Sequence, residues 1–151
     1  MEATLKVWKT NRSIYLNFLE KYSIEQLNKI PEGFNNNIIW NIAHVVAIHQ
    51  SLLYKGSNLP MNIENDFFEK YKPGSKPAAF VEQEEIDLVK NLLVAQIKQT
   101  EEDLEKQLFN TYNERVTLTG FHLSSISDAL EFNNFHEGMH LGMIMNLRKL
   151  V

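Results

Sequence analysis

Ile38-Ile39-Trp40-Asn41-Ile42-Ala43-His44-Val45-Val46-Ala47-Ile48 is the most apolar run of the chain. Its only strongly polar side chains are Asn41 and His44. Asn35, Asn36 and Asn37 stand in front of it, and an Asn side chain caps the free amides at a helix start well. The pattern predicts a helix from these caps to about Tyr54. It is apolar nearly all round, so it belongs in an interior. A bilayer is not that interior, because a span needs about 20 apolar residues. Other helices must therefore surround it.

Toward the N-terminus, Leu5, Trp8, Tyr15, Phe18, Leu19 and Tyr22 return at helical intervals between Thr4 and Lys21, a stripe interrupted by Arg12. Ser23 with Gln26 has the capping-box pattern and opens a short piece, Ile24 to Lys29, ended by Pro31-Glu32-Gly33. Toward the C-terminus, Gly56, Pro60, Pro73, Gly74 and Pro77 punctuate Lys55 to Val81, with a turn or two of helix expected at Ile63 to Tyr71. So long a connection in a compact domain suggests a crossover or a lid. Glu82 to Phe109 reads as a long amphipathic helix with Ile86, Val89, Leu93, Ile97, Leu104 and Leu108 inward. Its opening acids, Glu82, Glu84, Glu85 and Asp87, suit the positive end of the helix dipole. Arg115-Val116-Thr117-Leu118-Thr119 is β-prone and ends at Gly120. Ser124 or Ser125 then caps a last helix running to about Leu150. Four long helices, with the long connection between the second and third, predict an all-α four-helix bundle forming a single domain over residues 1–151.

Composition narrows the function. The chain is 44% hydrophobic and 23% charged, an ordinary globular balance. A net charge of −4, with basic residues scattered among acidic ones, argues against a nucleic-acid partner. The absence of cysteine removes disulfides, thiolate ligands and a Cys nucleophile. Met1 to Lys6 has no apolar core of a signal peptide, and no stretch reads as a membrane span, so a cytoplasmic protein is the expectation.

Chemistry concentrates in His136-Glu137-Gly138-Met139-His140 on the last helix. The two imidazoles lie about 40° apart around the axis, one turn above the other, and both can reach one ion. The string also matches the H-E-x-x-H of zinc proteases, in which the Glu is the general base. Those enzymes take a further ligand from downstream, and Leu141 to Val151 contains no His, Asp, Glu or Cys, which excludes that layout. The same face carries Ala129, Phe132, Met143, Ile144 and Leu147, so both imidazoles point inward. There each must hydrogen-bond or bind something, since an unsatisfied polar group costs about 1–3 kcal/mol.

A third ligand comes from His44, His49, His122 or a carboxylate. His44 lies on a semi-polar seam, Asn37, Asn41, His44, Ile48 and Ser51, and spacing favours it. His49 is about 140° away around the helix and reads as a helix-end histidine packing at the surface. His122, in a loop, reads as structural. Three neutral imidazoles without a thiolate suit Zn²⁺ first and Ni²⁺ next, and leave coordination open as in catalytic sites. Asn41 and Asn133, each near one turn before a candidate ligand, can support it or touch a substrate. Glu137 lies about 100° from His136, and a base, a support to the ligands and a surface carboxylate all remain open for it. Trp8, Trp40, Phe132 and Phe135 read as core.

The chain resembles the DinB-like superfamily of bundle metalloproteins. The resemblance rests on Pro31-Glu32-Gly33, on Trp40-Asn41-Ile42-Ala43-His44, on the loop from Asp66 through Lys72-Pro73-Gly74 to Pro77, and on Phe135-His136-Glu137-Gly138-Met139-His140-Leu141-Gly142. It implies a divalent metal on His44, His136 and His140. Relatives of that kind include S-transferases using bacillithiol or mycothiol and a mycothiol-dependent isomerase, besides DNA-damage-inducible proteins. The resemblance therefore implies a small-molecule thiol cosubstrate activated at the metal, and, with the apolar second helix, a homodimer. A metal-dependent hydrolase and a non-catalytic metal-binding bundle acting in stress response or protein association are the competing expectations.

Overall fold

The computed structural model describes residues 2–151. Four long helices make the frame: α1 (Glu2–Lys21), α3 (Ile38–Leu53), α5 (Gln83–Glu105) and α6 (Ile126–Leu147). Two short ones, α2 (Ile24–Asn28) and α4 (Asn65–Tyr71), sit in the connections. A two-stranded antiparallel ribbon, β1 (Arg115–Val116) with β2 (His122–Leu123), precedes α6. In the bundle α1 and α3 each pack against α5 and α6, so α1 and α3 are diagonal. The protein is all-α with the long connection where the sequence predicts it. No helix among the described residues is long and apolar enough to cross a membrane.

Local chemistry explains most boundaries. The Ser23 hydroxyl accepts from the Gln26 amide while the Gln26 side chain accepts from the Ser23 amide, which closes the capping box of α2. Asn37 Oδ1 accepts from the Trp40 amide at 2.9 Å and starts α3. Ser125 does the same for α6 through the Asp128 amide. Every residue of α3 except Ser51 is buried, as its composition demands. Leu27, Ile38, Ile42, Val89, Leu93 and Ile144 fill the larger half of the core, and Trp8, Leu53, Ile97 and Leu123 the smaller half.

Two helices end sooner than the periodicity predicts. α5 stops at Glu105 because Gln107 turns left-handed, with φ of +55°. The Leu108 amide then reaches back to the Asp103 carbonyl and the Gln107 amide to that of Leu104, a Schellman cap. Leu108, expected inside, is 43% exposed. α6 ends at Leu147, short of Leu150, and Met143 on its expected inward face is exposed.

Candidate metal centre

His44 comes from the middle of α3, and His136 and His140 from successive turns of α6. The two helices pack side by side, so the imidazoles meet between them. One potential ligand atom from each ring lies within 4.8 Å of the other two. The Nε2 atoms of His44 and His136 are 3.3 Å apart. Two nitrogens on one tetrahedral Zn²⁺, with bonds of about 2.0–2.1 Å, are separated by about 3.4 Å. The donor set fits a divalent ion.

Neighbouring groups fix the tautomers. His44 Nδ1–H donates to the Tyr71 carbonyl at 2.6 Å, which leaves its Nε2 with a lone pair. Trp40 stacks on the same ring at 4.7 Å between centroids. His140 Nδ1–H donates to Asn41 Oδ1 at 2.8 Å. Asn41 is itself oriented, because its amide donates to the Asn37 carbonyl and to Asn36 Oδ1. Asn41 thus supports a candidate ligand from one turn before His44, one of the two roles its position allows. His136 Nδ1 is buried without a hydrogen-bond partner.

Burial keeps all three rings neutral. It lowers the His44 pKa against the raising effect of the Tyr71 carbonyl. It pushes His136 well below its ordinary value, with His140, His44 and Arg12 adding to the effect. His140 is driven down to about 3, by burial first and His44 second. Neutral imidazole is the metal-binding form.

The other sequence candidates lie elsewhere. His49 is fully buried, which corrects its reading as a surface residue. Its Nε2–H donates to Thr100 Oγ1 at 2.9 Å, its Nδ1 faces Arg12 Nη2 at 3.3 Å, and Trp8 packs edge-on against it. Burial, and then Arg12, hold its pKa well below the ordinary value. His122 is exposed on the ribbon and meets Glu114 Oε1 at 2.5 Å. Glu137 is also fully buried and faces away from the trio. Its Oε1 accepts from Arg12 Nη2 at 2.7 Å, Arg12 Nε at 3.1 Å and Asn133 Nδ2 at 2.9 Å. Arg12, which breaks the apolar stripe of α1, is its counter-ion. Asn133 therefore serves Glu137 and not His136. Phe135, expected in the core, is 44% exposed.

A cavity of about 500 Å³ opens beside the three histidines. Ile48, Leu52, Phe132 and Met139 give it apolar walls, and Ser51 continues the seam that carries His44. Its cover is not the Lys55–Val81 connection, which supplies only Pro73 as lining; Arg115 to Thr119 closes that side. The β-prone run was legible as a strand, but its place over the site comes from long-range packing. Leu123, opposite Arg115 in the ribbon, anchors it in the core with Leu130 and Phe132.

Comparisons with known proteins agree with this architecture. A family model described as the DinB superfamily matches residues 8–144. Among solved structures, "Crystal structure of the conserved protein of locus from Enterococcus faecalis" superposes with a TM-score of 0.68 over 99% of this chain and 95% of that one, at 12% identity. That likeness speaks for the fold. A search of curated proteins finds no match.

Proposed function

This chain belongs to the DinB superfamily, and on that premise we propose that it is a divalent-metal-dependent thiol S-transferase with His44, His136 and His140 as the metal ligands. The observation that carries the reading is the trio of neutral imidazoles on the wall of a cavity large enough for a small molecule. Zn²⁺ or Ni²⁺ suits three nitrogen donors best. When bound, such an ion depresses the pKa of a thiol beside it and so favours the thiolate, the stronger nucleophile at neutral pH.

The residues of the chain do the rest. The Tyr71 carbonyl and the Asn41 amide hold His44 and His140 as the tautomers that present Nε2. Ile48, Leu52, Phe132 and Met139 give the cavity apolar walls, and a lower dielectric there strengthens electrostatic effects on a bound thiol. With no cysteine in the chain, the sulfur must arrive on a cosubstrate. Hydrolysis is the weaker reading, because it needs a proton acceptor at the cavity. Glu137, the motif's one carboxylate, is committed to Arg12 and does not line it. Homodimer formation stays a proposal that rests on the family alone, since the apolar surface of α3 is consumed inside the protomer.

The test is conjugation of bacillithiol, or a simpler thiol, to monochlorobimane. Zinc-loaded protein should accelerate it over metal-free protein. Equal rates across several thiols would replace the transferase with a non-catalytic metal-binding bundle.

A further inference from the structure

Arg115 carries the one charged side chain among those lining the cavity beside the three histidines. The ribbon register pairs it with Leu123, and directly opposed residues of an antiparallel pair project to the same face. Leu123 is buried in the core, so Arg115 is turned toward the body of the protein, while Val116, opposite His122, borders the cavity from its exposed rim. Partial burial of Arg115 accords with this. Among the described residues no carboxylate pairs with it. The neighbouring acid, Glu114, is taken up by His122. The only other interior arginine, Arg12, has its Glu137. The Arg115 guanidinium stands beside the Tyr112 hydroxyl, a neutral partner that leaves the charge without a paired carboxylate, and such a group presents a planar fork of donors matched to an oxyanion.

We propose that Arg115 is a specificity-determining residue, and that the cavity takes an apolar molecule carrying a carboxylate, which docks on the Arg115 guanidinium while the apolar body lies along Leu52, Phe132 and Met139. The inference rests on the three-histidine cavity being the substrate site. It assigns the substrate two features, an apolar stem and one anionic end. Thr117 and Thr119 of the ribbon and Ser51 of α3 add hydroxyl-bearing residues to the same lining.

The test compares 4-phenylbutyrate with the uncharged 4-phenylbutyramide by calorimetric titration, on full-length protein in metal-free and zinc-loaded forms. On metal-free protein the acid should bind at least tenfold more tightly than the amide. Arg115→Gln should erase that preference, and Arg115→Lys should keep part of it, with circular dichroism checking that both variants stay folded. Equal affinities in the wild type, no measurable binding of either probe, or a preference that survives Arg115→Gln would overturn the proposal. A preference confined to the zinc-loaded form and unchanged in Arg115→Gln places the carboxylate on the metal and overturns it too. Zinc content of the same samples separates the two levels of the argument. Failure of the Arg115 effect with full zinc loading refutes only the subsite. Absence of zinc binding in the wild type refutes the metal site.

Discussion

Glu137 sits between the two histidines of its motif in the chain, yet its side chain enters a different interior. Arg12, Asn133 and His49 gather there, and from His49 hydrogen bonds lead through Thr100 and Tyr54 to Asp103. Tyr15 binds the Glu137 carbonyl at 2.5 Å, so α1 is tied to the turn of α6 that carries His136 and His140. Both charges of the Arg12–Glu137 pair are almost fully out of water. Removing one partner strands the other, which costs about 3–5 kcal/mol. Arg12→Met should therefore lower the urea-unfolding free energy by that amount, and Arg12→Met with Glu137→Leu should recover most of it; a single-mutant loss below about 1 kcal/mol would show the pair to be solvated. Little of this was legible in the sequence. His136, His140 and His44 announce themselves through helical spacing, which is local. Arg12 looks only like a flaw in a stripe, because its partner lies 125 residues away. His49 looked like a surface residue for the same reason, since its partners come from α1 and α5.

At the scale of elements, the sequence is most readable where the stop and start signals are side chains. Ser23 with Gln26, Asn37 and Ser125 each mark a helix start that the structure keeps. The end of α5 carries no such mark, because a Gln occupies the left-handed position where Gly or Asn is usual. A left-handed L-residue costs roughly 1–2 kcal/mol, which the Schellman hydrogen bonds offset. Gln107→Gly should raise stability by about 1 kcal/mol in urea titration, and a β-branched Gln107→Val should lower it. If Gly leaves stability unchanged or reduces it, the cap is not formed as described. The ribbon was readable as a strand and unreadable as a wall of the cavity. Its two paired positions alternate correctly, but nothing in Arg115 to Thr119 points to α3 or α6.

For the molecule as a whole, four buried imidazoles make stability depend on pH. His44, His49, His136 and His140 all have folded-state pKa values lowered by burial, His140 to about 3. The unfolded chain holds these groups near 6.5, so between 6.5 and the lower folded values it binds more protons than the native state. The stability they contribute is complete above about pH 6.5 and is lost as the pH falls, by up to about 1.4 kcal/mol per pH unit for each imidazole. Metal-free protein should accordingly unfold at progressively lower urea from pH 7 to pH 5. A flat profile would mean that the rings take up protons in the folded state. A bound ion stabilises the native state further through mass action, which links fold and site. Zinc stoichiometry separates the three-histidine centre from any other set of ligands. After equilibration with Zn²⁺ and dialysis, wild type, His122→Ala and His49→Gln should each retain one zinc per folded chain. His44→Ala, His136→Ala and His140→Ala should each lose most of it. Full retention in any of those three, or a loss in folded His49→Gln equal to theirs, would contradict the assignment.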